Sequence, residues 1–297
     1  MLLKAAGCIV SYWFEQMNYT YKKIWLIVFP VMMSILIEQL INITDALFLG
    51  HVGDVELGAS ALAGIWFLAI YMLGFGFSLG LQVVIARRNG EQQYAETGKT
   101  FFQGLFFLLI LAVLLCLLSK IFSPVLLKHL ITSDDVYNAV IRYLDWRIWG
   151  LLFSFPFLAL RSFLVGITQT KALNMAAFTA VLMNIPMNWL LIFGLDMGIS
   201  GVAIASSFAE MCSLAVLAAY MFRHIDKKAY GLYWRIDITV LKEVFSISVW
   251  SMLQFFTSVA IWFLFFVAIE RLGETELAVS NIVRSVSALF SVIVNAL

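Results

Sequence analysis

The chain has 297 residues, of which 63% are hydrophobic and 12% charged, with a mean hydropathy of +0.96 and a net charge of +1. Water-soluble proteins carry about 25% charged residues, so this chain is unable to face water over its whole surface, and its balanced charge excludes the basic stripe of a nucleic-acid binder. The composition predicts an all-α, multi-pass membrane protein whose 26 Phe and 9 Trp face lipid and the interfaces.

A spanning helix needs about 20 apolar residues. Eight segments meet that need: 24–50, 57–86, 100–122, 136–165, 172–194, 199–222, 241–270 and 276–297. Residues 1–23 show no clear signal-peptide h-region or cleavage site and read as a cytoplasmic N-terminal segment. The fourth span has Arg142, Asp145 and Arg147 in its first third, so its apolar core is expected at 148–165. With the N-terminus inside, thirteen Lys and Arg fall on the cytoplasmic side, while Lys120, Lys128, Arg142, Arg147 and Arg271 fall on the other. This positive-inside bias sets the expected orientation in the cell membrane.

The first span carries the strongest chemical signal. Glu38, Asn42 and Asp45 sit at i, i+4 and i+7, on one helical face. A carboxylate at mid-membrane depth costs about 2.5–3.5 kcal/mol on insertion scales, so such residues usually face a cavity or a partner. Their oxygens suit a hard cation, Na⁺ or a proton, and the face is read as cavity-lining; a cluster of protonated acids that only packs helices together is the competing reading. Pro30 either hinges this helix or simply opens it.

In the fifth span Asn184 and Asn188 lie four residues apart around Pro186, a second hinge candidate. The two amides either complete an oxygen cage with Asp45 or hydrogen-bond between helices. The sixth span opens GISGVAIASSFAE, where small residues permit close packing and Ser206 and Glu210 form a further polar face. Gly64, Gly74, Gly76 and Gly80 in the second span read as glycines for helix packing or bending, since no Gly-Lys-Ser/Thr follows GFGFSLG as in a phosphate loop. Arg284, deep in the last span, either snorkels to the surface or faces the cavity. No catalytic constellation or Cys/His metal cluster stands out, so neither an enzyme nor a cofactor is expected beyond Na⁺ or H⁺ as a coupling ion.

The longest polar link, 223–240, divides the chain into a first lobe at 24–222 (six helices) and an incomplete second lobe at 241–297 (two helices). HVGDVELGAS (51–60) resembles RLGETELAVS (271–280), with Gly53/Gly273, Glu56/Glu276, Leu57/Leu277 and Ser60/Ser280 identical. Six spans separate the copies, so both face the same side and the lobes are expected to be related by an axis along the membrane normal.

Five motifs occur in one order along the chain: P-x(14)-D-A-x-F-x-G-x-x-G at 30–53, GFSLG with ARRNGEQQYAETGK at 76–99, FLVGITQTK at 163–171, Asn184-x-x-x-Asn188, and GISGVAIAS at 198–206. Together they resemble the multidrug and toxic compound extrusion (MATE) family of secondary transporters. The resemblance implies two six-helix lobes around a cavity and export of organic cations or other amphipathic small molecules, driven by inward Na⁺ or H⁺. It also implies a first-lobe cation site at Asp45, Asn184, Asn188 and Ser206, with Asp45 essential. The second-lobe helix 241–270 lacks the acid found at mid-span in some members, and about eight spans are present where the family has about twelve. Two other readings stand beside export. One is a lipid-linked oligosaccharide flippase of the same superfamily, which would favour a basic cavity; intramembrane acids outnumbering bases argue against it. The other is a membrane fragment that keeps the fold without transport. The substrate, the coupling ion and the oligomeric state are not legible in the sequence.

Overall fold

A computed structural model describes residues 21–233 and 237–296, and within them the elements are helices joined by short turns. In chain order they are α1 (Tyr21–Gly50), α2 (Asp54–Gly90), α3 (Tyr94–Leu130), α4 (Asp134–Arg147), α5 (Leu151–Gly166), α6 (Lys171–Trp189), α7 (Gly198–His224), α8 (Ile238–Glu270) and α9 (Glu274–Ala296). A single 3₁₀ turn, Ile148–Gly150, joins α4 to α5, so the two form one 33-residue span. Six helices among the described residues are long and apolar enough to cross a membrane: α2, α3, α4–α5, α6 with its extension to Gly194, α7 and α8. The protein is a multi-pass, all-helical membrane protein. Its outward faces fit lipid; on α3 Leu114, Leu117, Ile121 and Phe122 are all exposed.

The helix starts have local causes. Ser133 caps α4 by accepting from the Val136 N–H, and Asp237 caps α8 by accepting from the Thr239 N–H at 2.9 Å. The two repeat copies fold alike. In each, the Glu side chain of the first turn folds back over the glycine before the helix, Glu56 over Gly53 and Glu276 over Gly273. Leu57 and Leu277, identical in the repeat, are both buried.

The fully buried Phe77, Phe101, Phe155 and Phe163 fill the interior. The second-lobe helix α8 lies along α2, and the packing glycines explain why it approaches so closely. A Cβ on Gly76 would sit 2.5 Å from the Met252 Cα, and one on Gly80 would overlap Ser248. Gly74 faces the Phe155 ring of α5 in the same way. The helix-packing reading of GFGFSLG is the one the structure supports.

Polar bonds tie α8 and α9 to α2, α3 and the start of α4 at both ends of the bundle. At one end Arg88 donates to Glu243 at 2.7 Å, Arg87 pairs with the same carboxylate, and Lys99 pairs with Asp237 at 2.7 Å. The Lys99 ammonium holds the Asp237 carboxyl below the usual carboxylate range. At the other end the buried Glu270 carboxylate accepts the backbone N–H groups of Thr132 (3.1 Å) and Ser133 (2.9 Å), at the start of α4. Asn281 of α9 donates to the Leu57 carbonyl at 3.2 Å, so the second repeat copy docks on the first.

Arg147, which the charge count puts toward the side opposite the N-terminus, is buried within the bundle, only 9% exposed, at the end of α4. A polar-looking stretch stays inside because α4 is amphipathic: Val136, Ala139, Val140, Tyr143, Leu144 and Arg147 form its buried stripe.

Candidate functional site

A cavity of about 280 Å³ opens between α1, α2, α4, α5, α6, α7 and α9. Apolar and aromatic side chains, among them Phe67, Leu68, Tyr71 and Phe157, make much of its wall. The rest is polar, and it resolves into two clusters.

The first cluster is built by three helices. Asp45 projects from α1. Asn188 of α6 donates from its amide nitrogen to Asp45 Oδ1 at 2.6 Å, and to Asn184 Oδ1 at 3.0 Å. Ser206 of α7 donates to Asp45 Oδ2 at 2.8 Å. Both asparagines are fully buried and Ser206 nearly so. The i, i+4 spacing in α6 puts both amides on the inner face, and a π-helical turn at Leu190–Gly194 follows Pro186 directly. Buried polar atoms are nearly always paired, yet the Asn188 Oδ1 and the Asn184 Nδ2 have no hydrogen-bond partner among the described residues. Beside them stand two carboxylate oxygens and a hydroxyl. A cation entering here would meet one full negative charge and a vacant amide oxygen without disturbing any backbone bond.

The second cluster is an ion pair with Arg147 buried and Glu210 half-buried at the cavity wall. The Arg147 guanidinium donates through Nη1 to Glu210 Oε2 (3.0 Å) and through Nη2 to Oε1 (2.5 Å). Ser154 donates to the same Glu210 Oε2 at 2.8 Å, and the Phe67 ring lies 3.9 Å from the guanidinium carbon. The planar fork satisfies both carboxylate oxygens, which is how two charges stay inside an apolar bundle.

The structure therefore brings together Asp45, Asn184, Asn188 and Ser206. It places Glu210 in the wall of the same cavity. Asn42 also lines it but is exposed, and its amide donates along α1 to Gln39 at 3.0 Å. Pro30 falls well inside α1 and Pro186 inside α6. The Glu38 and Pro30 side chains lie outside the described residues. Arg147 and Ser154 were missed in the sequence; the available signal was Glu210, an acid inside a span, which needs a basic partner within the bundle. Arg284 of α9 faces the cavity. With Asp45, Glu210, Arg147 and Arg284 in the wall, acids and bases among the described cavity residues are equal in number, where the sequence count had acids ahead.

Comparison with known proteins fits this geometry. The MatE family model matches residues 30–190, over half of the chain. A probable multidrug resistance protein NorM from Shewanella oneidensis is 25% identical over 278 residues, covering 90% of this chain and 60% of that protein. The Synechocystis NorM is 29% identical over 196 residues, covering 64% and 42%. The chain thus spans about 60% of the length of the first of these relatives. Among solved structures, an inward-facing MATE family transporter of the MOP superfamily superposes with a TM-score of 0.74 at 22% identity, covering 82% of this chain and 56% of that one. The eukaryotic transporter AtDTX14 superposes with a TM-score of 0.76 at 19% identity, covering 92% and 64%. These likenesses establish the shared fold. Taken with the family match across the helices that hold Asp45, Asn184 and Asn188, they make this chain a member of the MATE family of membrane transporters.

Proposed function

We propose that the protein takes part in exporting amphipathic small molecules, organic cations and drugs among them, across the cell membrane, coupled to inward movement of Na⁺ or H⁺ through Asp45. The observation that carries this reading is the bonded set of Asp45, Asn184, Asn188 and Ser206, in which Asp45 and Ser206 line a cavity with aromatic sides and the two asparagines stand behind them. A coupling ion needs a site that shares space with the substrate path, and here one cavity supplies both. Asn184, Asn188 and Ser206 hold the ion beside the carboxylate, and Asn42 and Glu210 line the path. Pro30 and Pro186 are the proposed hinges of α1 and α6; the π-helical turn after Pro186 marks a place where the backbone ladder of α6 is already broken. The chain divides into the first lobe at 24–222, the linker at 223–240 and the partial second lobe at 241–297, and its N-terminus lies in the cytoplasm, as the Lys and Arg bias favours.

The test is flux in liposomes. Purified protein is reconstituted, and uptake of a fluorescent organic cation is followed under an imposed Na⁺ gradient and, separately, a pH gradient. The coupling ion is the one whose gradient drives uptake, and Asp45→Asn should abolish that drive. An ion-driven flux unchanged by Asp45→Asn refutes the mechanism. No gradient-driven flux with wild-type protein favours the transport-inactive fragment.

A further inference from the structure

Four charged side chains among the described residues line the cavity, and three have opposite or donor partners that account for them. Arg147 and Glu210 neutralise each other through two bonds. Asp45 is held by Asn188 and Ser206. Arg284 is different. Its Nη2 donates to the neutral Asn281 amide at 2.9 Å, its guanidinium carbon lies 5.9 Å from the Phe266 ring, and its Nε is buried without a hydrogen-bond partner. No carboxylate among the described residues pairs with it.

Snorkelling does not explain this arginine. It stands ten residues into α9, about 15 Å along the axis from the helix start at Glu274. Its side chain turns instead into the cavity wall. The Asn281 amide that receives it is fixed in turn by the Leu57 carbonyl at 3.2 Å, so the guanidinium is held in place by a chain of bonds running from α2 to α9. A fixed cation with no carboxylate bonded to it, facing a cavity whose walls are largely apolar and aromatic, is arranged to receive an anion.

We infer that Arg284 is a recognition site for the anionic group of the transported molecule, so that the preferred substrate is a zwitterionic or acidic aromatic amphiphile, with its carboxylate or similar anion on Arg284. The inference rests on the export reading above and narrows its substrate class. A simple monocation would leave Arg284 unpaired and facing like charge. A molecule with an aromatic body and one anionic group satisfies the guanidinium while its body lies against the ring-lined wall. Arg147 is unsuited to the role, because Glu210 already fills both of its forked donors.

The experiment uses the full chain in lipid nanodiscs and two probes that differ by one charge: tetramethylrhodamine, a zwitterion with a free carboxylate, and its methyl ester, a cation. Binding is read by fluorescence anisotropy. Wild-type protein should bind the free acid at least about tenfold more tightly than the ester, the scale of one charge-assisted bond. Arg284→Gln should remove that preference while leaving ester affinity intact, which also shows that the variant is folded. Arg284→Lys, which keeps the charge but loses the fork, should retain part of it. Equal affinity of wild type for both probes, or a preference that survives Arg284→Gln, overturns the assignment of Arg284 and leaves the export reading standing. Failure of wild type to bind either probe overturns the cavity as a substrate site, and the export reading falls with it.

Discussion

Replacing Glu210 by Ala isolates the energetic role of its ion pair with Arg147. Arg147 would lose both bonds to the carboxylate, at 3.0 and 2.5 Å, while staying buried under the Phe67 ring. Breaking a buried pair by removing one partner costs about 3–5 kcal/mol, because the remaining charge is left uncompensated. The Ser154 hydroxyl keeps its bond to the Gly150 carbonyl at 2.8 Å, so it adds little. The cavity lets water reach one side of the guanidinium, which puts the expected loss near the lower end, about 3 kcal/mol. On the scale of a soluble domain of similar size that is a fall in melting temperature of roughly 6–12 °C. The decisive comparison is the double variant Arg147→Met with Glu210→Met. Removing both charges together leaves no orphan, so it should be far milder than either single change, and is expected to be near neutral. Thermal unfolding in detergent of wild type, both single variants and the double variant completes the cycle. If the double variant loses as much as the two single losses added together, the pair does not couple and the reasoning fails.

Two further changes probe how the second lobe is attached. Gly76→Ala should destabilise the bundle by about 1–3 kcal/mol, because its Cβ meets the Met252 backbone, which has no flexible end to swing away. Gly64→Ala, where no atom lies within 4 Å of the added Cβ, should instead stabilise α2 by about 0.5–1 kcal/mol through helix propensity alone. Thermal unfolding read side by side should show opposite signs. Glu270→Ala should strand the Thr132 and Ser133 N–H groups at a cost of about 1–3 kcal/mol, and hydrogen exchange at those two amides should speed up, with Glu270→Gln restoring part of the protection.

The sequence made six spans and the polar cluster around Asp45 legible for a simple reason. In lipid a carboxylate or a pair of amides is expensive, so Asp45, Asn184 and Asn188 stand out from an apolar background, and helical spacing places the amides on one face. The same rule underused Glu210. It was seen as a polar residue beside Ser206, while its partner Arg147 was assigned to the outside, because a residue near several other charges looks like a loop. Only the packing of α4, with its buried stripe, shows that the charge lies inside. Glu243 and Glu270 escaped notice for another reason. They sit at the ends of α8, where an acid costs little, and their partners are more than 130 residues away in the chain. No local pattern signals a bond of that range. Gly74, Gly76 and Gly80 of α2 are packing residues as the sequence suggests, whereas Gly64 meets no atom within 4 Å, and the sequence does not say that α8 is the helix admitted by Gly76 and Gly80.

The Glu270 carboxylate has a mechanical consequence. It grips the first turn of α4, and α4 is a 14-residue rod, about 21 Å long, whose far end carries Arg147 in the cavity wall. A displacement of α8 must therefore either tear the Thr132 and Ser133 amides from this carboxylate or drag the rod along with it. In the second case, movement of α8 is delivered directly to the Arg147–Glu210 pair in the cavity wall, with no need for a relay of small side-chain shifts.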